Sequence, residues 1–397
     1  MNKLVYFDNG ASTQVDPLVF EAMQPYFSEK YGNASSLHKF GMDAKDALET
    51  SRRQIASLLG AKADELIFTS GGTESNNIAL KGVAFANRDK GNHIITTQIE
   101  HKCIVNTCKW LKEQGFEITY LPVDSEGFVN PEDLQNAITD KTILVTIIHG
   151  NNETGTIQDL VPLGKICKEK GVLFHTDACQ SFTKTELDVN TQNLDLVTIN
   201  SHKIHGPKGV GALYIRKDTK IEAWQHGGNH EFGLRSGTEN IHGIVGFAEA
   251  AKLGMNPEHT AKMTKLRDKL IEGVLAIENT KLNGSKGDKR LANNANFSFQ
   301  GIEGEALGGY LDQKGICSST GSACSAKALE PSYVLKALGL TDEEANGSLR
   351  LTISRFTTEE EIDYVLAELQ KVVKKLRRYS PLAKVADYVL KKSSNKV

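Results

Sequence analysis

The sequence lacks any apolar run approaching the ~18 residues that a membrane-spanning helix requires. It also lacks an excess of charge of either sign. Its 47 basic and 49 acidic side chains leave a net charge of −2, which makes no electrostatic case for a nucleic-acid polymer or an anionic membrane. Cysteine is scarce. Six thiols (Cys103, Cys108, Cys167, Cys179, Cys317, Cys324) in 397 residues are too few for a disulfide scaffold, and their spacings fit no zinc finger or ribbon. The segment from Met1 to Asp8 has no apolar stretch before its first acid, so no signal peptide is expected. These absences point to a globular, cytoplasmic protein with reduced thiols. What the chain does have is glycine, 35 residues of it, and glycines gather where a backbone turns sharply or approaches a ligand. Hydrophobic residues at 39% supply a sizeable core, and the length suits two to three domains.

From about residue 17 to 260, helical patterns alternate with short apolar runs. Asp16-Pro17 marks a first helix, with an acid at the cap and proline at the first helical position. Residues 65–70 form a candidate strand, Gly71-Gly72 a turn, and a helix is expected from Thr73, with that threonine as its cap. Further strands are expected at 93–97, 117–121, 142–148, 172–176, 194–200 and 210–215, separated mostly by helices at 102–114, 131–138 and 160–170. Such alternation implies an α/β fold with a largely parallel sheet covered on both faces, whose sites lie at the carboxyl ends of the strands. One long helical stretch is expected over 240–277, followed by a smaller α+β unit with strands near 296–299, 315–318 and 348–354 and an amphipathic helix at 358–378. The expected division is a large domain at 15–260 and a small domain formed by 1–14 plus 261–397. Charge is uneven at the end: residues 371–397 hold nine basic side chains and one acid, a local +8 that leaves −10 for the rest.

Chemistry concentrates in His175-Thr176-Asp177-Ala178-Cys179-Gln180 and in Asn200-Ser201-His202-Lys203, with the glycine-rich flank Gly206-Pro207-Lys208-Gly209 behind it. One strand delivers Asp177 at its carboxyl end and a second delivers Lys203 just beyond its own. An acid and a lysine so placed suit pyridoxal 5′-phosphate: the lysine binds the aldehyde carbon and the aspartate pairs with the protonated ring nitrogen. For those two residues alone, a surface acid and lysine that never meet is the plainer reading. Ser70-Gly71-Gly72-Thr73-Glu74-Ser75 offers a phosphate cradle at a helix N-terminus, although by itself a good helix start is the plainer reading.

Taken together these segments resemble class V, fold-type I pyridoxal-phosphate enzymes, and specifically cysteine desulfurases of the NifS/IscS kind. The resemblance runs from Tyr31-Gly32-Asn33-Ala34-Ser35-Ser36-Leu37-His38 through Ser70-Gly71-Gly72-Thr73-Glu74-Ser75-Asn76-Asn77, Glu100-His101 and Asn151-Asn152-Glu153-Thr154-Gly155. It continues with Ser201-His202-Lys203, Leu234-Arg235-Ser236-Gly237-Thr238-Glu239-Asn240, Thr320-Gly321-Ser322-Ala323-Cys324 and Arg355-Phe356-Thr357-Thr358-Glu359-Glu360. Motifs in this order imply the fold-type I transferase fold, a mostly parallel sheet flanked by helices with a smaller α+β domain.

The resemblance also implies roles. Lys203 would hold the cofactor and later move the Cα proton, Asp177 the pyridine N–H, and Gln180 the ring hydroxyl. His101 would stack on the ring and serve as acid or base, and Asn152 would lie beside ring and substrate. Gly72, Thr73 and His202 would bind the phosphate, with Thr238 reaching it from the other subunit of a homodimer. Where the family carries a serine three positions before the lysine, this chain has Asn200, followed by Ser201, and either side chain could donate to the phosphate. Arg350 would clamp the carboxylate of L-cysteine. Cys324 would attack the substrate sulfur, leaving alanine and an enzyme persulfide for iron–sulfur assembly or thiolation. No resident metal is implied; whether Cys324 is ever shared with an iron–sulfur cluster stays open. The Cys324 loop and the basic tail would dock a scaffold protein. A selenocysteine lyase, a class V aminotransferase and a non-catalytic scaffold are the alternatives. Cys179 and Cys317 read as small packing residues, with a sulfur relay or a disulfide to Cys324 as the sharper reading of Cys317.

Overall fold

The structure, a computed structural model, describes residues 4–320 and 330–379. Twelve strands occur in this part: β1 (Val5–Tyr6), β2 (Leu66–Thr69), β3 (His93–Thr97), β4 (Glu117–Leu121), β5 (Thr142–Thr146), β6 (Leu173–Asp177), β7 (Leu196–Asn200), β8 (Gly211–Ile215), β9 (Thr280–Leu282), β10 (Asn294–Phe299), β11 (Ile316–Cys317) and β12 (Ser348–Thr352). Seven of them form one sheet in the order β2-β8-β7-β6-β5-β3-β4. All run parallel except β8, which is antiparallel to both neighbours.

Every residue of β3, β5, β7 and β8 is buried, as continuous apolar strands must be when helices cover both faces. At the edge, β4 is mostly half-exposed. The register pairs Asp177 with Thr198, so β6 and β7 end side by side at one rim of the sheet. At the same rim Gly211 opens β8 because a Cβ there would come within 2.7 Å of the Gly71 Cα.

A second, antiparallel sheet has the order β12-β10-β9, and β1 pairs in parallel with β11. Two large apolar clusters correspond to these layers. One draws residues from Val19 to Ala251 around the main sheet. The other joins Val5 and Phe7 to residues between Met263 and Val373. Among the described residues no helix is long and apolar enough to cross a membrane.

Several local expectations change. The stretch 240–277 is two helices, Ile241–Gly254 and Pro257–Leu275. Asn256 caps the second by accepting from the Glu258 amide, and Pro257 occupies its first position, where a missing N–H costs nothing. The helix expected from Thr73 begins one residue earlier, spans Gly72–Ala86 and is capped by Gly71, which places Thr73 in its first turn. Asp16 caps Pro17–Met23 as expected, accepting from the Leu18 amide at 2.9 Å. The last helix is Glu359–Tyr379. Cys324 and the tail beyond Tyr379 lie outside the described residues.

Candidate active site

At the carboxyl rim of the main sheet lies a cavity of about 570 Å³, within the range of small-molecule sites. Strand ends and helix starts build it. β6 brings Asp177, whose Oδ2 accepts from Asn76 Nδ2 at 2.7 Å and whose Oδ1 accepts from the Cys179 amide at 3.0 Å. β7 ends at Asn200, and the turn after it presents His202 and Lys203 to the cavity. The Lys203 ammonium donates to the carbonyls of Gly10 and Ala11, both at 2.6 Å. Gln180 holds the same strip, donating from Nε2 to the Gly10 carbonyl at 2.8 Å.

Opposite these, the helix Gly72–Ala86 points its N-terminus into the cavity, with Gly71, Gly72 and Thr73 in the wall. First-turn amides have no intrahelical acceptor, and the positive end of the helix dipole favours an anion there. Gly72 is needed for packing: a Cβ would stand 2.5 Å from Cys179 Sγ.

His101 caps the helix Lys102–Glu113 through Nδ1, which accepts from the Cys103 amide at 3.2 Å. A backbone amide only donates, so Nδ1 is the unprotonated nitrogen. Burial holds the ring below its ordinary pKa, against the charge of Asp177, so His101 is a neutral imidazole with its proton on Nε2. The Cys103 thiol is 3.0 Å from the same Nδ1, and burial pushes it up to about 12, so it stays a thiol. Burial and the neighbouring lysines likewise push His202 down to about 4 and keep it neutral.

The far wall comes from the second sheet. Arg350, on β12 and almost fully buried, donates from one terminal nitrogen to the Asn152 carbonyl at 2.9 Å and from the other to Asp8 at 3.0 Å. Its Nε has no partner among the described residues. Next to Asn152, the buried Glu153 accepts from Ser332 Oγ at 2.5 Å and is pushed up to about 7 by burial. Among the described residues no group of His, Cys, Asp and Glu side chains is arranged to hold a metal.

A lysine, an acid, a neutral histidine and a guanidinium around a helix N-terminus are a donor set for an anionic, aldehyde-bearing cofactor and a carboxylate substrate. The comparisons agree. The family described as "Aminotransferase class-V" matches residues 5–365. Cysteine desulfurase IscS of Clostridium botulinum is 51% identical over 386 residues, which is 96% of this chain and 97% of that protein.

The chain belongs to the class-V aminotransferase family, among its cysteine desulfurases. A solved structure described as a NifS-like protein superposes with a TM-score of 0.89 at 39% identity, covering 94% of this chain and all (100%) of that one. Another, described as SspA in complex with cysteine, gives a TM-score of 0.79 at 36% identity, covering 89% and 99%. The desulfurase family depends on pyridoxal phosphate, and its fold is the one observed here.

Of the residues expected from sequence, Gly72, Thr73, His101, Asn152, Asp177, Gln180, Asn200, His202, Lys203 and Arg350 all line the cavity of this family member. Ser201 does not. It is fully buried, with Oγ where a Cβ on Gly206 would fall (1.9 Å away), so the turn leaves Asn200 as the polar side chain at that rim. Thr238 is exposed and lies outside the cavity of its own chain. Cys324 is not described. Sequence reasoning missed the Gly10–Ser12 strip, Asn76 as the partner of Asp177, and the pairing of Arg350 with Asp8. The polar, glycine-containing Asp8-Asn9-Gly10-Ala11 just after an apolar pair is the one local signal that could have pointed to the strip.

Proposed function

We propose that this chain converts L-cysteine to L-alanine and passes the sulfur to the Cys324 thiol. In balance, L-cysteine and a thiol become L-alanine and a persulfide. The observation that carries the reading is the convergence of Lys203, Asp177, His101 and Arg350 on one cavity beside a helix N-terminus.

The residues present fit pyridoxal phosphate. The amides of Gly72 and Thr73 with His202 would hold the phosphate, Asp177 the ring nitrogen, Gln180 the ring hydroxyl, and Lys203 the aldehyde carbon. Asn200 also lines the cavity, and its amide Nδ2, not its unpaired Oδ1, would donate to the phosphate. When bound, the cofactor supplies an electron sink for the substrate carbons. The chain's own residues do the rest. Arg350 orients the substrate carboxylate, Lys203 Nζ carries the proton to and from Cα, and His101 Nε2–H donates toward the reacting centre. The Asn76 hydrogen bond keeps the Asp177 carboxylate aimed into the cavity.

Several further readings rest on the family likeness and the sequence. They are a homodimer in which Thr238 completes the partner's phosphate site, a cytoplasmic location, docking of an iron–sulfur scaffold or another sulfur acceptor on the Cys324 segment and basic tail, and the division into domains at 15–260 and 1–14 plus 261–397.

The test is direct. The purified protein should absorb as a pyridoxal-phosphate enzyme and release alanine from L-cysteine. Lys203→Ala should lose covalently held cofactor and turnover, and Cys324→Ala should keep the cofactor and lose persulfide. Alanine formation by Lys203→Ala at the wild-type rate would overturn the proposal.

A further inference from the structure

The helix Gly72–Ala86 carries an acid in its first turn, at the end that faces the cavity. Glu74 stands in the cavity wall beside Gly71, Gly72 and Thr73. Both of its oxygens are engaged. Oε2 accepts from the Ser70 amide at 2.7 Å, which closes the glycine turn, and Oε1 accepts from Arg235 Nε at 2.8 Å. The pair is well shielded, with the Glu74 and Arg235 side chains 13% and 22% exposed. Arg235 does not itself line the cavity. It reaches Glu74 from the segment that follows the Glu231–Gly233 turn, and two hydrogen bonds hold that segment in place: the Ser236 amide donates to the Gln225 carbonyl at 3.0 Å, and Gln225 Nε2 donates to the Ser236 carbonyl at 2.7 Å.

A negative side chain in a first helical turn is ordinarily favourable, because it answers the positive end of the helix dipole. Here the same helix end is the one read as the phosphate site. An unneutralised Glu74 would use up that preference and repel a second anion. Burial alone would raise the Glu74 pKa, but the hydrogen bonds from Arg235 and Ser70 and the Arg235 charge hold it below the ordinary carboxylate value. Glu74 is therefore a carboxylate at neutral pH, and its charge has to be answered. The other acids in the wall have partners of their own, Asp177 in Asn76 and Glu153 in Ser332.

We propose that Glu74 and Arg235 are positioning residues for the phosphate site: Glu74 shapes the glycine turn, and Arg235 cancels its charge so that the helix N-terminus can accept a phosphate. The proposal rests on the reading that this helix start holds the phosphate of pyridoxal phosphate. It adds that the pair selects the phosphorylated aldehyde over the same aldehyde without its phosphate.

The experiment titrates the cofactor-stripped, full-length chain with pyridoxal phosphate and, separately, with pyridoxal, and follows absorbance near neutral pH. Arg235→Met should weaken the affinity for pyridoxal phosphate by about tenfold, the scale of one uncompensated charge near a bound anion, and leave that for pyridoxal in place. Glu74→Gln/Arg235→Met, which keeps an acceptor for the Ser70 amide and carries no charge, should recover most of the loss. Arg235→Gln takes the place of Arg235→Met, alone and in the double variant, if the methionine variant does not fold. An equal loss for both aldehydes, or a double variant no tighter than the single one, makes the pair a structural tie and overturns the proposal. No capture of pyridoxal phosphate by the wild-type chain overturns the underlying reading of the phosphate site instead.

Discussion

At the scale of single residues, the site is a set of side chains whose freedom has been removed by specific partners. His101 shows this best. Capping a helix consumes Nδ1, so the ring offers the cavity a donor on Nε2 and no acceptor. Arg350 is fixed by Asp8 and the Asn152 carbonyl, leaving a guanidinium pre-set for a carboxylate. Lysine cannot reproduce that fork. Arg350→Lys should therefore raise KM for L-cysteine by about 10- to 100-fold, the worth of one charge-assisted hydrogen bond, with a smaller change in kcat. Steady-state kinetics of alanine release check this, and an unchanged KM would remove Arg350 from the carboxylate site.

At the scale of elements, the rim segments are pinned by buried pairs that join distant parts of the chain. Arg52 and Glu231 form a two-pronged pair at 2.6 and 2.9 Å, both side chains buried, and Glu231 also accepts from the Phe68 amide at 2.7 Å. This holds the short turn at Glu231–Gly233 against β2, just before the segment that carries Thr238. Removing Glu231 leaves the buried Arg52 with only the partly exposed Glu49, at 3.3 Å, as its counter-charge. Glu231→Ala should cost about 3–5 kcal/mol in urea unfolding, and the double variant Arg52→Met/Glu231→Leu should cost less than that single change. Elements are legible in the sequence where their signals are local: Asp16-Pro17 at a helix start, and apolar runs such as His93–Thr97 bounded by polar turns. The break at Asn256-Pro257 is also written in the sequence, but strong helical patterns on both sides mask it. Pairs such as Arg52 with Glu231 carry no local signal at all.

At the scale of the whole molecule, burial of ionisable groups sets how stability depends on pH. Glu100, next to His101 in sequence, is fully buried, with Oε1 accepting from Thr97 and the Ile148 amide and Oε2 without a partner among the described residues. Burial raises its pKa from 4.5 to about 8. Folding therefore favours the protonated acid, and that stability is present in full below 4.5 and lost as the pH climbs toward 8. In urea unfolding measured between pH 5 and about 8.5, this loss should not exceed about 1.4 kcal/mol for each pH step of one, and Glu100→Gln should flatten it. An unaltered slope would mean that Glu100 is not the group responsible.

The sequence by itself determined the α/β class, the strand ends that carry Asp177 and Lys203, the glycine turn before the helix Gly72–Ala86 and, through its ordered motifs, the family. Those properties are local, set by hydrophobic period, cap chemistry and glycine placement within a few residues. Only the tertiary structure decided that Asn200 rather than Ser201 faces the cavity, that Arg350 meets Asp8 from 342 residues away, and that Lys184 and Lys203 line one small cavity. Which way a side chain turns, and which charges share a poorly hydrated space, depend on how layers pack, and no short stretch of chain contains that information.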